Sequence, residues 1–198
     1  MKIKIFISLL IGICFSATAQ TDSTALLKKA VPTKKITYYN TLLAGGLLGE
    51  SGKGSGLTLS TTHGVRISRF SVGAGIGFDS YFDWKTVPVF GTIEFDFAKI
   101  KKNAFFIQIN GGYADATRIN REEWVTDYRE YGGPMYSYLL GYKIKAEKFS
   151  LYLLAGYKFQ EANFSFNPQP WSSFIGPPGY SVEEDMNRLV VQLGFGLH

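Results

Sequence analysis

Few side chains in this 198-residue chain are of the types that catalyse reactions or bind transition metals. The sequence contains one cysteine, Cys14, and two histidines, His63 and His198. Ser60 lies three residues before His63, and such a pair serves as nucleophile and general base only when both side chains share a face. In a strand, residues three apart point to opposite faces. We therefore expect a protein that is not an enzyme and that has no cofactor and no metal site.

The segments that hold these residues are predicted to be strands, because from Ile36 onward apolar residues recur at every second position. In the clearest segment, 70–79, apolar residues alternate with serine, glycine and aspartate. The alternation recurs in eight segments: Tyr38–Gly49, Leu57–Ile67, Phe70–Phe78, Val87–Phe97, Phe105–Tyr113, Tyr136–Ile144, Phe149–Phe159 and Leu189–Leu197.

The connections between these segments alternate in length. Three are tight, namely Ser68–Arg69, Lys99–Asn103 and Ala146–Lys148, and four are longer, namely Glu50–Gly56, Ser80–Lys85, Arg118–Gly133 and Ala162–Asp185. Short turns at one end and long loops at the other, around strands of about ten residues, are typical of an up-and-down membrane barrel. The predicted fold class is therefore all-β, an eight-stranded antiparallel up-and-down transmembrane β-barrel.

The residue types on the two faces of these strands favour a membrane barrel over a soluble one. The polar face is mostly glycine and serine with occasional amides, whereas a barrel in water would present lysine, glutamate and threonine there. A secreted soluble barrel that binds a small apolar ligand is the alternative, and it would need an apolar lumen. The aromatic residues of the apolar face fall at two depths, as at the two interfaces of a bilayer. They are Phe70, Phe97, Phe105, Phe149 and Phe195 near the short turns, and Phe78, Tyr113, Tyr136 and Phe159 near the long loops.

The start of the chain has the composition of a secretory signal. Two lysines precede an apolar stretch at 5–15, and Ala17 and Ala19 are the small residues that signal peptidase requires. Beyond residue 19, no apolar run approaches the ~18 residues that a membrane helix needs. The remaining 19 basic and 16 acidic residues give a small net charge, which predicts no nucleic-acid partner. The expected organisation is a cleaved signal peptide at 1–19, a periplasmic segment at 20–35 and the barrel at 36–198.

The same segments resemble a known family. The signal, the eight-strand rhythm and the closing strand Leu189–Leu197 are similar to those of the small eight-stranded outer-membrane barrels of Gram-negative bacteria. Tyr38–Asn40, the alternating glycines within 70–81 and Val87–Phe90 are similar to a largely uncharacterised, porin-like group of these barrels. The resemblance implies an outer-membrane location and the barrel-assembly machinery as a partner during biogenesis. In the family the last strand usually ends in an aromatic residue, whereas here His198 is last.

The polar face, projected inward, brings charges from different strands into the barrel. An eight-stranded barrel has a lumen that side chains can fill, and buried charges persist mainly when they are paired. We therefore predict a polar plug whose charges satisfy one another, in preference to an ion path or a small pore. Its expected members are Arg66, Glu94, Asp96, Gln108, Lys143 and Lys158, with Asn110 and Gln192 among them.

The long loops hold the residues that look most like a recognition surface. Proline stiffens a loop and aromatic side chains offer contact area at little entropic cost, so these loops are predicted to contact an extracellular glycan, protein or lipid headgroup. Interfacial anchoring is the rival interpretation. The candidate contacts are Trp84, Trp124, Phe164, Trp171, Phe174 and Tyr180.

Charge is distributed unequally between the two predicted sides. After residue 19, the periplasmic side holds 12 basic and 4 acidic residues, and the outer side holds 7 and 12. The basic side suits anionic phospholipid headgroups, and the acidic loops are a candidate site for cations. We expect a monomer among outer-membrane lipids, with a structural or surface-interaction role. The alternative, a lipid-modifying enzyme of similar architecture, would need a histidine at the outer rim.

Overall fold

The chain folds into antiparallel strands throughout the residues that the structure describes. The structure is a computed structural model, and it describes residues 36–49, 54–119, 125–168 and 180–197. The predicted signal peptide and periplasmic segment lie outside these ranges. Within them, no helix is long and apolar enough to cross a membrane. The strands are β1 (Ile36–Leu48), β2 (Gly56–Ile67), β3 (Phe70–Ser80), β4 (Trp84–Ile100), β5 (Asn103–Arg118), β6 (Val125–Lys145), β7 (Phe149–Pro168), β8 (Tyr180–Asp185) and β9 (Arg188–Leu197).

The sheet closes on itself into an eight-stranded barrel. Strands β1 to β6 pair in sequence order, β1 also pairs with β9, and β9 pairs with β7, which closes the ring against β6. Strands β8 and β9 form one barrel strand, because both pair with β7 in a single continuous register. Lys158 lies opposite Arg188 and Glu161 lies opposite Asp185, so only Met186 and Asn187 interrupt the ladder. The predicted fold class is confirmed.

The two faces of the wall differ sharply in exposure. Along β4, buried and exposed residues alternate from Trp84 to Glu94. The outward positions carry large apolar side chains, such as Val89 and Ile93, which are 58% and 55% exposed. Aromatic pairs lie on this outward face near the short turns, where the rings of Phe70 and Phe95 stack at 4.6 Å. The barrel therefore presents a continuous apolar wall to its surroundings and keeps its polar residues inside.

Three of the connections predicted at the loop end are shorter than expected. Residues 118–133 and 162–185 were expected to be loops, but β6 begins at Val125, β7 continues to Pro168, and β8 occupies Tyr180–Asp185. Trp84 already belongs to β4, so residues 81–83 alone join β3 to β4. The alternation continues through Ala162, Phe164 and Phe166, which all point inward and are buried. We call residues 125–133, 161–168 and 180–185 the outer extension.

Where large side chains fill the narrow interior, the facing residue on the neighbouring strand is glycine, which leaves room for them. A Cβ added at Gly75 would lie 2.5 Å from the Phe90 ring and 2.7 Å from the carbonyl oxygen of Thr61. Gly91, on the neighbouring strand, faces outward, and the atom nearest to a Cβ added there is 3.9 Å away. The first glycine is therefore required by packing, whereas the second is not.

This contrast predicts opposite effects for two alanine substitutions. Gly75→Ala should lower the free energy of unfolding by about 1–3 kcal/mol, because the added methyl group overpacks a filled interior. Gly91→Ala should leave it unchanged or raise it by about 0.4–1 kcal/mol, because alanine restricts the unfolded chain. Urea titration of the protein in lipid vesicles measures both values. Equal destabilisation by the two variants would contradict the assigned faces.

Candidate functional site

Buried ions link three strands across the half of the lumen nearest the short turns. Arg66 of β2 donates from Nη2 to Glu94 Oε1 at 2.6 Å, and Lys143 of β6 donates from Nζ to the same oxygen at 2.5 Å. Lys143 Nζ also donates to Asp96 Oδ1 at 3.0 Å. Lys143 and Asp96 are fully buried. We call Arg66, Glu94, Asp96 and Lys143 the lower ion cluster.

Other polar and aromatic groups complete the surroundings of the lower ion cluster. Arg66 Nε donates to Ser71 Oγ at 2.8 Å, and Lys145 Nζ lies 3.9 Å from Asp96 Oδ2 at the edge of the cluster. Both cations of the cluster, the half-buried Arg66 and the buried Lys143, also face aromatic rings. Arg66 lies 5.3 Å from the ring centre of Tyr39, and Lys143 lies 4.7 Å from that of Phe106. Ring faces attract cations, so these contacts add to the ion pairs.

Neutral amides and hydroxyls occupy the middle of the lumen. Gln108 Nε2 donates to Asn110 Oδ1 at 3.0 Å, and Asn110 Nδ2 donates to Ser137 Oγ at 2.8 Å. Above them is a cavity of about 20 Å³, whose lining includes Asp79 and Gln192. A volume of this size holds about one water molecule. The middle layer is thus packed and hydrogen-bonded.

A second ion pair lies on the loop side of this layer. Lys158 of β7 donates from Nζ to Asp79 Oδ2, and both residues are buried. Lys158 was predicted to lie in the lumen, whereas its partner Asp79 was missed. The signal was present in the sequence, because Asp79 has the same parity in β3 as Ser71 and the inward glycines.

Apolar side chains cover the loop end of the lumen. The ring of Phe164 lies 6.1 Å from that of Trp84 and stacks on that of Tyr128 at 5.7 Å. Trp84 Nε1 donates to Glu184 Oε2 of β8 at 2.9 Å. We call Trp84, Phe164, Phe166 and Met186, all at least 93% buried, the apolar cap.

The apolar cap corrects part of the predicted recognition surface. Trp84 and Phe164 were expected to be exposed loop contacts, but they are 1% and 7% exposed and belong to strands. The reason is that the strands continue past the predicted ends, so the alternation turns both side chains inward. Tyr180 begins β8. Trp124, Trp171 and Phe174 lie outside the described residues.

A cavity of about 340 Å³ lies at the rim beside the apolar cap. We call it the rim cavity. It lies between the β3–β4 connection and β8. Burial raises the pKa of the Tyr81 hydroxyl well above its ordinary value, so this group stays protonated. The residues that line the cavity are Tyr81, Phe82, Asp83, Trp84, Glu183, Glu184, Asp185, Met186 and Arg188.

His63 lies on the outward wall, on the opposite face of the barrel wall from these interior groups. Its Nδ1 is 2.6 Å from the hydroxyl of Tyr38, its Nε2 is 3.4 Å from Thr61 Oγ1, and its side chain is exposed. The β2 ladder has no register shift on either side, so no bulge turns His63 inward. Ser60 lines the interior cavity instead. These two residues therefore cannot act as a nucleophile and its base.

Comparison with solved structures agrees with this architecture at the level of the fold. The chain is similar to Neisserial surface protein A, at 13% sequence identity and a TM-score of 0.54, over 82% of this chain and 98% of that one. It is also similar to the outer membrane protein AlkL, at 10% identity and a TM-score of 0.49, over 89% of this chain and 96% of that one. No family model and no curated protein matches the sequence. The likeness to Neisserial surface protein A shows a shared barrel fold.

The lower ion cluster makes a measurable prediction about stability. Lys143→Met should lower the free energy of unfolding by about 3–5 kcal/mol, because it leaves buried carboxylates short of a counter-charge. Adding Asp96→Asn should recover part of this loss, because Arg66 and Glu94 then remain as a balanced pair. Urea titration in lipid vesicles measures both changes.

Lys148→Met is the matched control, because Lys148 is exposed in the turn that follows β6. Its effect should stay within about 0.5 kcal/mol. If Lys143→Met costs no more than Lys148→Met, the cluster does not stabilise the barrel.

Proposed function

We propose that this protein is an integral outer-membrane barrel with a closed lumen, which acts at the cell surface through its loop end. The observation that carries the proposal is the combination of an apolar outer wall with an interior whose charges are paired. A soluble barrel would gain nothing from exposing rows of side chains such as Val89 and Ile93, because large exposed apolar surfaces favour aggregation in water. In a bilayer the same wall is matched to lipid.

The interior supports closure over conduction. Three layers succeed one another along the lumen, namely the lower ion cluster, the amides with the pair of Asp79 and Lys158, and the apolar cap. The small cavity within the middle layer, between the amides and the pair of Asp79 and Lys158, has room for only about one water molecule. An ion that crossed this interior would have to break buried pairs and pass the apolar cap without its hydration shell, and both steps are costly.

A role at the loop end is supported by the larger surface that this end of the barrel offers. The short turns of two or three residues offer little surface, whereas the outer extension and the rim cavity rise from the opposite end. Binding residues are commonly carried on such rims above a rigid scaffold. In this proposal the packed lumen makes the barrel rigid and so positions the rim, and the rim contacts binding partners. The competing function is a small pore. A measurement of ion conductance distinguishes a pore from a closed barrel.

Single-channel recording tests closure. The purified protein in planar lipid bilayers should give no reproducible current steps, because each layer of the lumen excludes hydrated ions. A larger porin, purified in the same detergent, controls for insertion. Large and reproducible steps from this protein would refute the closed lumen.

Cysteine labelling tests location and orientation together. Phe82→Cys places a thiol at a residue that is 70% exposed at the loop end, and Lys148→Cys places one at the turn end. The chain's own cysteine, Cys14, lies in the predicted signal peptide. A membrane-impermeant maleimide should label Phe82→Cys on intact cells and Lys148→Cys only after the outer membrane is permeabilised. The reverse pattern would show the opposite orientation, and recovery in the soluble periplasm would contradict membrane insertion.

A further inference from the structure

A groove lies on the outward wall of the barrel, toward the loop end. Its volume of about 820 Å³ falls within the range of about 300–1,000 Å³ that is usual for sites that hold a small molecule. We call it the wall groove. The outward side chains that line it belong to β1, β2, β3, β4 and β9, and they are Ala44, Leu57, Leu59, Phe78, Ser80, Lys85 and Leu193.

Small residues of β1 make the wall low at this place. Ala44 lies opposite Leu59 on one side and opposite Leu193 on the other, and both leucines are exposed. The next outward residue of β1 is Gly46, which lies opposite Leu57. The atom nearest to a Cβ added at Gly46 would be 3.9 Å away. The groove is therefore a depression in the wall between the leucines of β2 and β9.

The rim side of the wall groove is polar and positively charged. Lys85 is the second residue of β4 and is exposed, and Ser80, the last residue of β3, lies opposite it. Among the residues that the structure describes, no carboxylate pairs with Lys85. Phe78 lies two residues further into β3, and aromatic residues at such a level mark the membrane interface.

The order of these groups along the wall matches the parts of a lipid. An ammonium group and a hydroxyl lie at the rim, an aromatic ring lies below them, and aliphatic side chains lie deepest. A lysine is a common binding group for phosphate, and each lysine near an anionic lipid surface attracts it measurably. An unpaired cation directly above an apolar groove therefore favours an anionic lipid over a neutral one.

We propose that the wall groove binds one anionic lipid that carries a phosphate group above its acyl chains. Lys85 Nζ and the Ser80 hydroxyl donate hydrogen bonds to the phosphate oxygens, and one acyl chain lies in the groove against Leu59 and Leu193. The inference rests on the proposed function, because the groove meets lipid only if the barrel spans a membrane.

Photo-crosslinking in lipid vesicles tests this site. The intact barrel is inserted into phosphatidylcholine vesicles that contain a small fraction of a probe lipid with a diazirine on one acyl chain. The probe is either phosphatidic acid, whose phosphate is free, or phosphatidylcholine, whose choline group cancels the phosphate charge. Crosslinked residues are mapped by mass spectrometry of peptides. The ratio of the two probes at each residue removes differences in reactivity between side chains.

The phosphatidic acid probe should be enriched at Leu59 and Leu193 relative to Tyr113 and Tyr136, which are outward residues of β5 and β6. Lys85→Gln should lower this enrichment about fivefold, because the phosphate loses its cation. Ala44→Leu should reduce the ratio to that of the surrounding wall, because the larger side chain fills the groove.

Two matched variants control for charge and for volume. Lys148→Gln removes an exposed lysine at the turn end, and Ala74→Leu enlarges an outward alanine of β3 that does not line the groove. Both should leave the enrichment unchanged. Equal probe ratios along the whole wall, or equal loss in Lys85→Gln and Lys148→Gln, would overturn the proposal. If the proposed function fails, neither probe labels the wall, so even labelling by both probes refutes this inference alone.

Discussion

A charge inside an eight-stranded barrel has almost no water to solvate it, so it must meet a counter-charge from another strand. Glu94 satisfies this constraint for the lower half of the barrel. Its Oε1 accepts from Arg66 of β2 and Lys143 of β6, two strands that are not neighbours in the sheet. Backbone ladders join only adjacent strands, whereas this carboxylate joins strands across the lumen. The ion pair of Asp79 and Lys158 connects β3 to β7 in the same way.

The narrow lumen of an eight-stranded barrel explains both why the lumen is closed and how the residues of the wall are arranged. Side chains as large as Phe90 fit only because glycine faces them, as Gly75 does. Successive side chains of a strand point to opposite faces, so the residues between these inward positions point outward, and their apolar side chains form the wall that we assign to lipid. At the loop end, Phe164 of the outer extension covers the lumen and its ring contacts that of Trp84. Trp84 also donates a hydrogen bond to Glu184. The packed interior therefore continues without a break from the lumen into the rim.

Much of the fold could be predicted from period-two alternation, because a wall with one wet and one dry face leaves a strong sequence signal. The same parity placed Arg66, Glu94, Asp96 and Lys143 inside, and the structure brings these four into contact. The strand ends at the rim could not be predicted, because prolines and charges such as those near Pro168 and Asp185 are typical of loops, and only the pairing of neighbouring strands shows that the ladder continues there. For that reason Trp84 and Phe164 were assigned to a surface that they do not reach. The rim cavity forms where the β3–β4 connection, β8 and the start of β9 come together, and no local sequence pattern predicts such a meeting.

Nitroxide scanning along β4 in lipid vesicles tests the account most directly, because one strand carries both faces. Labels at Val89 and Ile93 should collide with oxygen dissolved in the bilayer but not with a water-soluble nickel chelate. A label at the inward position Thr92, which is 3% exposed, should be inaccessible to both. Access of the chelate to Thr92 would mean an open lumen, and its access to Val89 and Ile93 would mean that the wall faces water.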